Sequence, residues 1–185
     1  MKLVPIPTIG DGSCFLHAVV QSISPLYSGM EDDGKRKLIR KMRRDLSELI
    51  SEKREDGRTW YEYLSRGSLE ELSNTFDDLK LHNMKKFLNS NQWFSHLYVE
   101  FISETLDVDI YIIDYNKSRL YNMGDSDLFY KGRDSIVIGY RSECHFETLA
   151  LIENGEKRTY FSPRSRLISK LNSLLHTNRL NKDQN

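Results

Sequence analysis

The chain contains 185 residues, its 27 lysine and arginine residues are balanced by 27 aspartate and glutamate residues, and 38% of its residues are hydrophobic. This length suits one globular domain that closes its core without a disulfide framework, and the composition excludes a disordered or fibrous chain. A formal net charge of zero removes the general electrostatic argument for nucleic-acid binding, and no apolar run approaches the roughly 18 residues that a membrane span requires.

The first half of the sequence has helical periodicity. Asp11 lies between Gly10 and Gly12 in a predicted tight turn, and residues 14–24 follow as a buried helix because most of them are apolar. Apolar residues then recur every three or four positions over 35–55, which predicts a long amphipathic helix. Further helices are predicted at 60–64, from 68 onward, at 79–88 and at 93–105.

The second half has the patterns of β-strands. Apolar residues alternate with polar ones or form short solid runs, and the predicted strands are 109–115, 119–123, 135–141, 145–152 and 158–161. Pro163 then opens a last amphipathic helix. At the N-terminus, Pro5 and Pro7 favour an extended chain. Because the predicted helices come in the first half of the sequence and the predicted strands cluster in the second half, we predict the α+β class.

No repeat, low-complexity tract or linker divides the sequence. We therefore predict one monomeric domain over residues 1–162, with residues 163–185 as an amphipathic helix and basic tail docked on it. The N-terminal segment lacks the apolar region of a signal peptide, which predicts a cytoplasmic location and no membrane partner.

The sequence has two cysteines, Cys14 and Cys144, and the surroundings of Cys14 suggest reactivity. Cys14 lies in the first turn of a predicted helix, directly after a glycine-flanked turn. Unpaired amide N–H groups converge at such a helix end, where they stabilise a thiolate and can hold the oxyanion of an acyl-transfer reaction. Cys14 is therefore either a nucleophile or a buried apolar side chain, which is the role we predict for Cys144.

A base for such a nucleophile is available in the predicted strand at 145–152. Alternate residues of a strand share a face, so His145 and Glu147 lie on one face and Phe146 lies on the other. A carboxylate two residues beyond a histidine can accept the imidazole N–H and fix its orientation. This spacing predicts a Cys–His–acid triad formed by Cys14, His145 and Glu147.

Two other interpretations of these residues are open. Cys14, His17, Cys144 and His145 are residue types that bind zinc, but adjacent strand residues point apart, which disfavours Cys144 and His145 as ligands of one ion. His17 follows Cys14 by one helical turn and is a second candidate base, although two groups on one short helix rarely meet at a common substrate atom. We predict neither a metal nor a cofactor.

Three blocks of the sequence resemble one enzyme family. Residues 11–18, Asp-Gly-Ser-Cys-Phe-Leu-His-Ala, resemble the cysteine box of the OTU (ovarian tumour) family of cysteine proteases. Residues 145–149 resemble the family's histidine box, and Trp93 with residues 108–113 resembles the helix start and central strand between the boxes. The blocks occur in the family's order over residues 6–152. The resemblance implies a papain-like α+β fold with a small mixed sheet between helical lobes.

The resemblance also implies an activity, the hydrolysis of the isopeptide bond at the C-terminus of ubiquitin, within polyubiquitin chains, or of a ubiquitin-like modifier. Cys14 would be the nucleophile, His145 the general base and Glu147 the orienting acid. Asp11 would belong to the segment whose backbone contributes to the oxyanion hole. Positions that flank the boxes are candidate substrate-binding residues: Ser13, Phe146 and Trp93.

Two features support other functions. The family's orienting residue is usually Asn or Asp, and Glu147 is one methylene longer, so the alternative is a catalytically weak module that binds ubiquitin without cutting it. Residues 35–54 hold nine basic side chains against three acidic ones, which is typical of a solvated helix face or of a surface that meets an acidic partner. The absence of interleaved aromatic residues disfavours nucleic acid as that partner.

Overall fold

The computed structural model describes residues 2–65, 77–92, 94, 96–116, 118–121, 131–141 and 145–180. Within these ranges the helices are α1 (Cys14–Ile23), α2 (Pro25–Ser28), α3 (Asp32–Leu49), α4 (Trp60–Ser65), α5 (Leu81–Leu88), α6 (His96–Leu106) and α7 (Arg166–Leu180), and a short 3-10 helix spans Asp77–Leu79. The strands are β1 (Lys2–Ile6), β2 (Asp109–Asp114), β3 (Arg119–Tyr121), β4 (Ser135–Arg141), β5 (His145–Glu153), β6 (Glu156–Arg158) and β7 (Tyr160–Phe161).

The described strands form one seven-stranded mixed sheet in the order β1-β5-β4-β2-β3. Strands β2 and β4 run parallel, and the other pairs are antiparallel, with β6 added to β5 and β7 added to β4. The register of β4 and β5 places Arg141 opposite His145 and Gly139 opposite Glu147. This register places His145 and Glu147, the first and third residues of β5, beside the C-terminal end of β4.

Helices cover both faces of the sheet, and the alternation of β5 shows which residues face which layer. Phe146 belongs to the larger core, which contains side chains from α1 through α6, and Thr148 donates a hydrogen bond to the carbonyl oxygen of Ala18 in α1. Leu149 and Leu151 lie on the opposite face in a second core with α7. The cysteine-bearing helix and the C-terminal helix therefore pack on opposite faces of the same strand.

Helix α3 begins and ends earlier than the predicted 35–55. It starts at Asp32, where two acidic residues in the first turn complement the helix dipole, and it ends at Leu49. A turn that includes Gly57 follows, and Lys53 and Thr59 form an isolated β-bridge across it. The predicted continuation to residue 55 is wrong because this turn takes the chain back toward α4.

One strand prediction also needs correction. The predicted strand 158–161 is two strands, because β6 pairs with β5 whereas β7 pairs with β4. The extended N-terminal segment is an edge strand of the sheet, β1, which pairs with β5. The helix predicted from residue 68 lies outside the described residues, and the domain boundary at 162 remains a prediction.

None of the described helices combines the length and the apolar composition that crossing a membrane would require.

Candidate active site

Asp11 organises the turn that precedes Cys14. Its carboxylate Oδ1 accepts a hydrogen bond from the N–H of Ser13 at 2.8 Å, and its carbonyl oxygen accepts one from the N–H of Cys14 at 3.1 Å. Cys14 opens α1 and its side chain is fully buried. Two of the amides that the sequence predicts to be unpaired at this helix end are therefore hydrogen-bonded to Asp11.

Gly12 is required in this turn by a close approach of the backbone. A Cβ atom at position 12 would lie 1.5 Å from the carbonyl oxygen of Asn91. No atom lies within 4 Å of the corresponding position at Gly10. The segment after α5 therefore packs directly against the cysteine turn at Gly12 and leaves space at Gly10.

His17 is engaged inside the protein. Its side chain is 1% exposed, its Nε2 lies 3.3 Å from Oδ2 of Asp11, and its Nδ1 is hydrogen-bonded to the hydroxyl of Tyr27. A neutral imidazole can accept at one nitrogen and donate at the other, which fits these two partners. Burial lowers the pKa of His17, and the charge of Asp11 opposes that shift. Both ring nitrogens have internal partners, which disfavours His17 as the base for Cys14.

Arg43 was not identified from the sequence, yet it joins α3 to the cysteine turn. Arg43 is 2% exposed, and its guanidinium donates from Nη1 to Oγ of Ser13 at 3.0 Å. It also donates to three backbone carbonyl oxygens, those of Leu88, Phe87 and Gln92. Burial lowers the pKa of Arg43 to about 10, so the side chain stays charged near neutral pH. Because Arg43 and Ser13 are 30 residues apart, no local sequence pattern predicts their contact.

The first residues of β5 lie beside the first turn of α1. The ring of Phe146 meets that of Phe15 edge-on, with centroids 5.2 Å apart. Thr8, in the chain that leads to the cysteine turn, donates a hydrogen bond to the carbonyl oxygen of Phe146 at 2.5 Å. Because Phe15 adjoins Cys14 and Phe146 adjoins His145, these contacts bring the segments of the predicted nucleophile and base together.

Glu147 is buried and pairs with Arg141. The Nε of Arg141 lies 2.9 Å from Oε2 of Glu147, and among the described residues this carboxylate has no ion pair with His145. Gly139, opposite Glu147, admits the ring of Tyr115, because a Cβ atom there would lie 2.6 Å from the Tyr115 hydroxyl oxygen. Burial raises the pKa of Tyr115, and the negative charge of Glu147 adds to the shift. Arg141, which follows the glycine by two residues, was not identified from the sequence.

The predicted substrate-binding residues have different surroundings. The Ser13 hydroxyl is 2% exposed and donates to Oδ1 of Asn91 at 2.8 Å while it accepts from Arg43. Phe146 is 3% exposed in the larger core. Both side chains therefore have internal roles in the structure, and their contact with a substrate remains a prediction. Trp93, like Cys144, lies outside the described residues.

The described residues contain no group of three or more His, Cys, Asp or Glu side chains placed to hold a metal ion.

The sequence matches neither a family model nor a curated protein. Among solved structures, it is similar to an ovarian tumour (OTU) domain in complex with ubiquitin, with 19% identity, a TM-score of 0.54, and coverage of 94% of this chain and 83% of that one. The viral OTU domain protease of Taggert virus shares 22% identity over 85% of this chain and 83% of its own, with a TM-score of 0.49.

An OTU deubiquitinase from Wolbachia pipientis wMel shares 19% identity over 83% of this chain and 91% of its own, with a TM-score of 0.47. The OTU domain in complex with ubiquitin matches almost the whole chain. It confirms the predicted α+β architecture with a mixed sheet between helical layers. The protein has the fold of the OTU domain.

Proposed function

We propose that the protein is a cysteine-type deubiquitinase that hydrolyses the isopeptide bond at the C-terminus of ubiquitin or of a ubiquitin-like modifier. One observation carries the proposal. In a fold shared with an OTU domain that was solved in complex with ubiquitin, Cys14 opens a helix whose first turn packs against the segment of His145.

In this reaction His145 takes the proton of the Cys14 thiol, and the thiolate sulfur attacks the carbonyl carbon of the C-terminal residue of ubiquitin. The C–N bond of the tetrahedral intermediate then breaks, and His145 returns the proton to the departing lysine amine. Water, deprotonated by His145, attacks the resulting thioester. Cleavage of the C–S bond releases the carboxylate of ubiquitin and regenerates Cys14.

We propose Glu147 as the acid that orients the imidazole of His145, and its present partner limits how it can do so. A strand places Glu147 two residues beyond His145 on the same face, but the carboxylate pairs with Arg141. Orientation of the imidazole by Glu147 therefore requires the carboxylate to turn from Arg141 toward His145. We expect Glu147→Gln to lower kcat by about tenfold or more, with a smaller effect on KM.

The second candidate function is ubiquitin binding without cleavage. It is favoured by the Arg141–Glu147 pair and by the hydrogen bond that occupies the N–H of Cys14, because both remove groups that the reaction would use. In this case the protein would bind ubiquitin, but Cys14 and His145 would not cleave it.

Turnover of ubiquitin carrying a fluorogenic C-terminal amide separates the two functions. We expect turnover by the native protein, none by Cys14→Ala, and a loss of about 10²-fold to 10⁴-fold in His145→Gln. Ubiquitin binding measured on the same samples by calorimetry provides the control. Binding without turnover by the native protein would favour the second function, and turnover retained in Cys14→Ala would contradict both.

A further inference from the structure

A basic groove runs along the exposed face of α3, beside the turn that follows α5. Its volume is about 800 Å³. One wall is formed by α3 and the other by the polar residues 89–91, and the floor adjoins the cysteine turn. The side chains of α3 that line the basic groove are Arg36, Lys37, Ile39, Arg40, Lys41, Arg43 and Arg44.

Most of the positive charge in the basic groove has no acidic partner among the described residues. Lys41 pairs with Asp45 on its own helix at 2.5 Å. Arg36, Arg40 and Arg44, in contrast, form no ion pair in the described part of the chain and are exposed. The described residues therefore leave these three guanidinium groups exposed to an acidic ligand.

The acidic side chain on the floor of the basic groove is already engaged. The carboxylate of Asp11 accepts the N–H of Ser13 and lies 3.3 Å from Nε2 of His17. Arg43, which is 2% exposed at the floor, is held by Ser13 and by backbone carbonyls. The floor is therefore fixed, and the exposed basic side chains of α3, among them the three arginines, are the cations presented to a ligand.

The spacing of these arginines suits an extended acidic chain. Arg36, Arg40 and Arg44 follow one another at four-residue intervals, which corresponds to about 6 Å along a helix axis. Alternate residues of an extended polypeptide lie about 6.6 Å apart. Carboxylates at every second position of such a segment would match successive arginines, whose planar guanidinium groups bind carboxylates with two hydrogen bonds.

The lining of the basic groove disfavours single-stranded nucleic acid. Among the described residues that line it, none is Phe, Tyr or Trp, so no aromatic side chain is available for base stacking. The polar wall of the groove is held by internal hydrogen bonds, because Asn89 donates to Ser47, Ser90 donates to the Phe87 carbonyl oxygen and Asn91 accepts from Ser13. The basic side chains of α3 therefore supply the contacts to a ligand.

We propose that the basic groove binds an extended acidic segment of a partner polypeptide, with Arg36, Arg40 and Arg44 contacting carboxylates at alternate positions. This binding is independent of the catalytic step. It places an acidic partner against the outside of the turn that carries Cys14.

The test is fluorescence anisotropy with the full-length chain at low ionic strength. The probe is a labelled eight-residue peptide that alternates glutamate and serine, and it is compared with the same peptide carrying glutamine in place of glutamate. We expect binding of the glutamate peptide alone, weakened by added salt. The double substitution Arg36→Glu/Arg40→Glu is expected to weaken binding about tenfold or more.

The matched control is Arg166→Glu/Lys170→Glu. These two basic residues are also exposed and four residues apart on a helix, and their reversal changes the net charge of the chain by the same amount. We expect this control to stay within about twofold of the native protein. Equal weakening by both double substitutions would show attraction by net charge and overturn the proposal. Absence of peptide binding, or tighter binding of a charge-matched single-stranded oligonucleotide, would also overturn it.

Discussion

At the scale of single residues, the turn that carries Cys14 is held by side chains from distant parts of the chain. Asn91 and Arg43 both bond to Ser13, and Tyr27 and Asp11 hold His17 from two sides. A nucleophile must be positioned to a fraction of an ångström for efficient attack. These contacts provide that positioning in the proposed enzyme.

Replacement of Arg43 tests the link between α3 and the cysteine turn. Arg43→Met would remove the arginine donor from the carbonyl oxygens of Leu88 and Gln92 and from the Ser13 hydroxyl, and one of several donors from the Phe87 carbonyl oxygen. We expect a loss of about 3 kcal/mol in the free energy of unfolding, measured by urea denaturation. The exposed neighbour provides the control, and Arg44→Met is expected to change stability by less than about 0.5 kcal/mol. Equal effects of the two substitutions would contradict the role given to Arg43.

The two glycines of the turn provide a second matched comparison. Gly12→Ala would place a methyl group 1.5 Å from the Asn91 carbonyl oxygen, so the backbone must move, whereas Gly10→Ala meets open space. We expect Gly12→Ala to destabilise the protein by about 1–3 kcal/mol, as overpacking does, and Gly10→Ala to be close to neutral. Thermal unfolding followed by circular dichroism measures both. A neutral Gly12→Ala would show that Asn91 does not pack as described.

The buried histidine predicts a pH dependence of stability. Burial lowers the pKa of His17 in the folded protein, so the unfolded chain binds the proton more readily. The free energy of unfolding should therefore fall as the pH drops below about 6.5, the ordinary pKa of histidine. We expect His17→Gln to reduce this dependence between about pH 7 and pH 5 in urea titrations.

The exposed residue His82 supplies the control for this titration, through His82→Gln. A dependence on pH that is unchanged in His17→Gln would contradict the buried neutral state of His17.

At the scale of elements, α7 contributes a second core by covering the face of the sheet opposite α1. Leu171 is 5% exposed in this core, whereas Leu174 on the same helix is 46% exposed. We expect Leu171→Ala to lower the free energy of unfolding by about 2–4 kcal/mol because it leaves a cavity, and Leu174→Ala to lower it by less than about 1 kcal/mol. Chemical denaturation measures both, and similar losses would indicate that α7 does not pack on the sheet.

The elements also show what periodicity predicts and what it misses. The pattern of apolar residues predicted α1 and β4 closely, because most of α1 is buried and β4 is a continuous apolar run buried between the two cores. It did not identify β1 as a strand of the sheet, because Pro5 weakens the strand pattern. An edge strand tolerates a proline whose missing N–H would face outward, and β1 lies at the edge.

At the scale of the whole molecule, local sequence patterns predicted the fold but not the contacts of the candidate site. The boxes around Cys14 and His145 are short segments whose order along the chain was sufficient to predict the OTU fold. The pairing of Glu147 with Arg141 depends on the register of β4 with β5, and that of Arg43 with Ser13 depends on helix packing. Neither arrangement has a periodic signal in the sequence.

The central claim is that Cys14 is a nucleophile presented to the C-terminus of ubiquitin. Its most direct test is the intact mass of the protein after incubation with ubiquitin that carries a C-terminal electrophile. We expect one ubiquitin adduct on the native protein and none on Cys14→Ala, with the folding of both confirmed by circular dichroism. An adduct on the Cys14→Ala variant, or none on the folded native protein, would contradict the account.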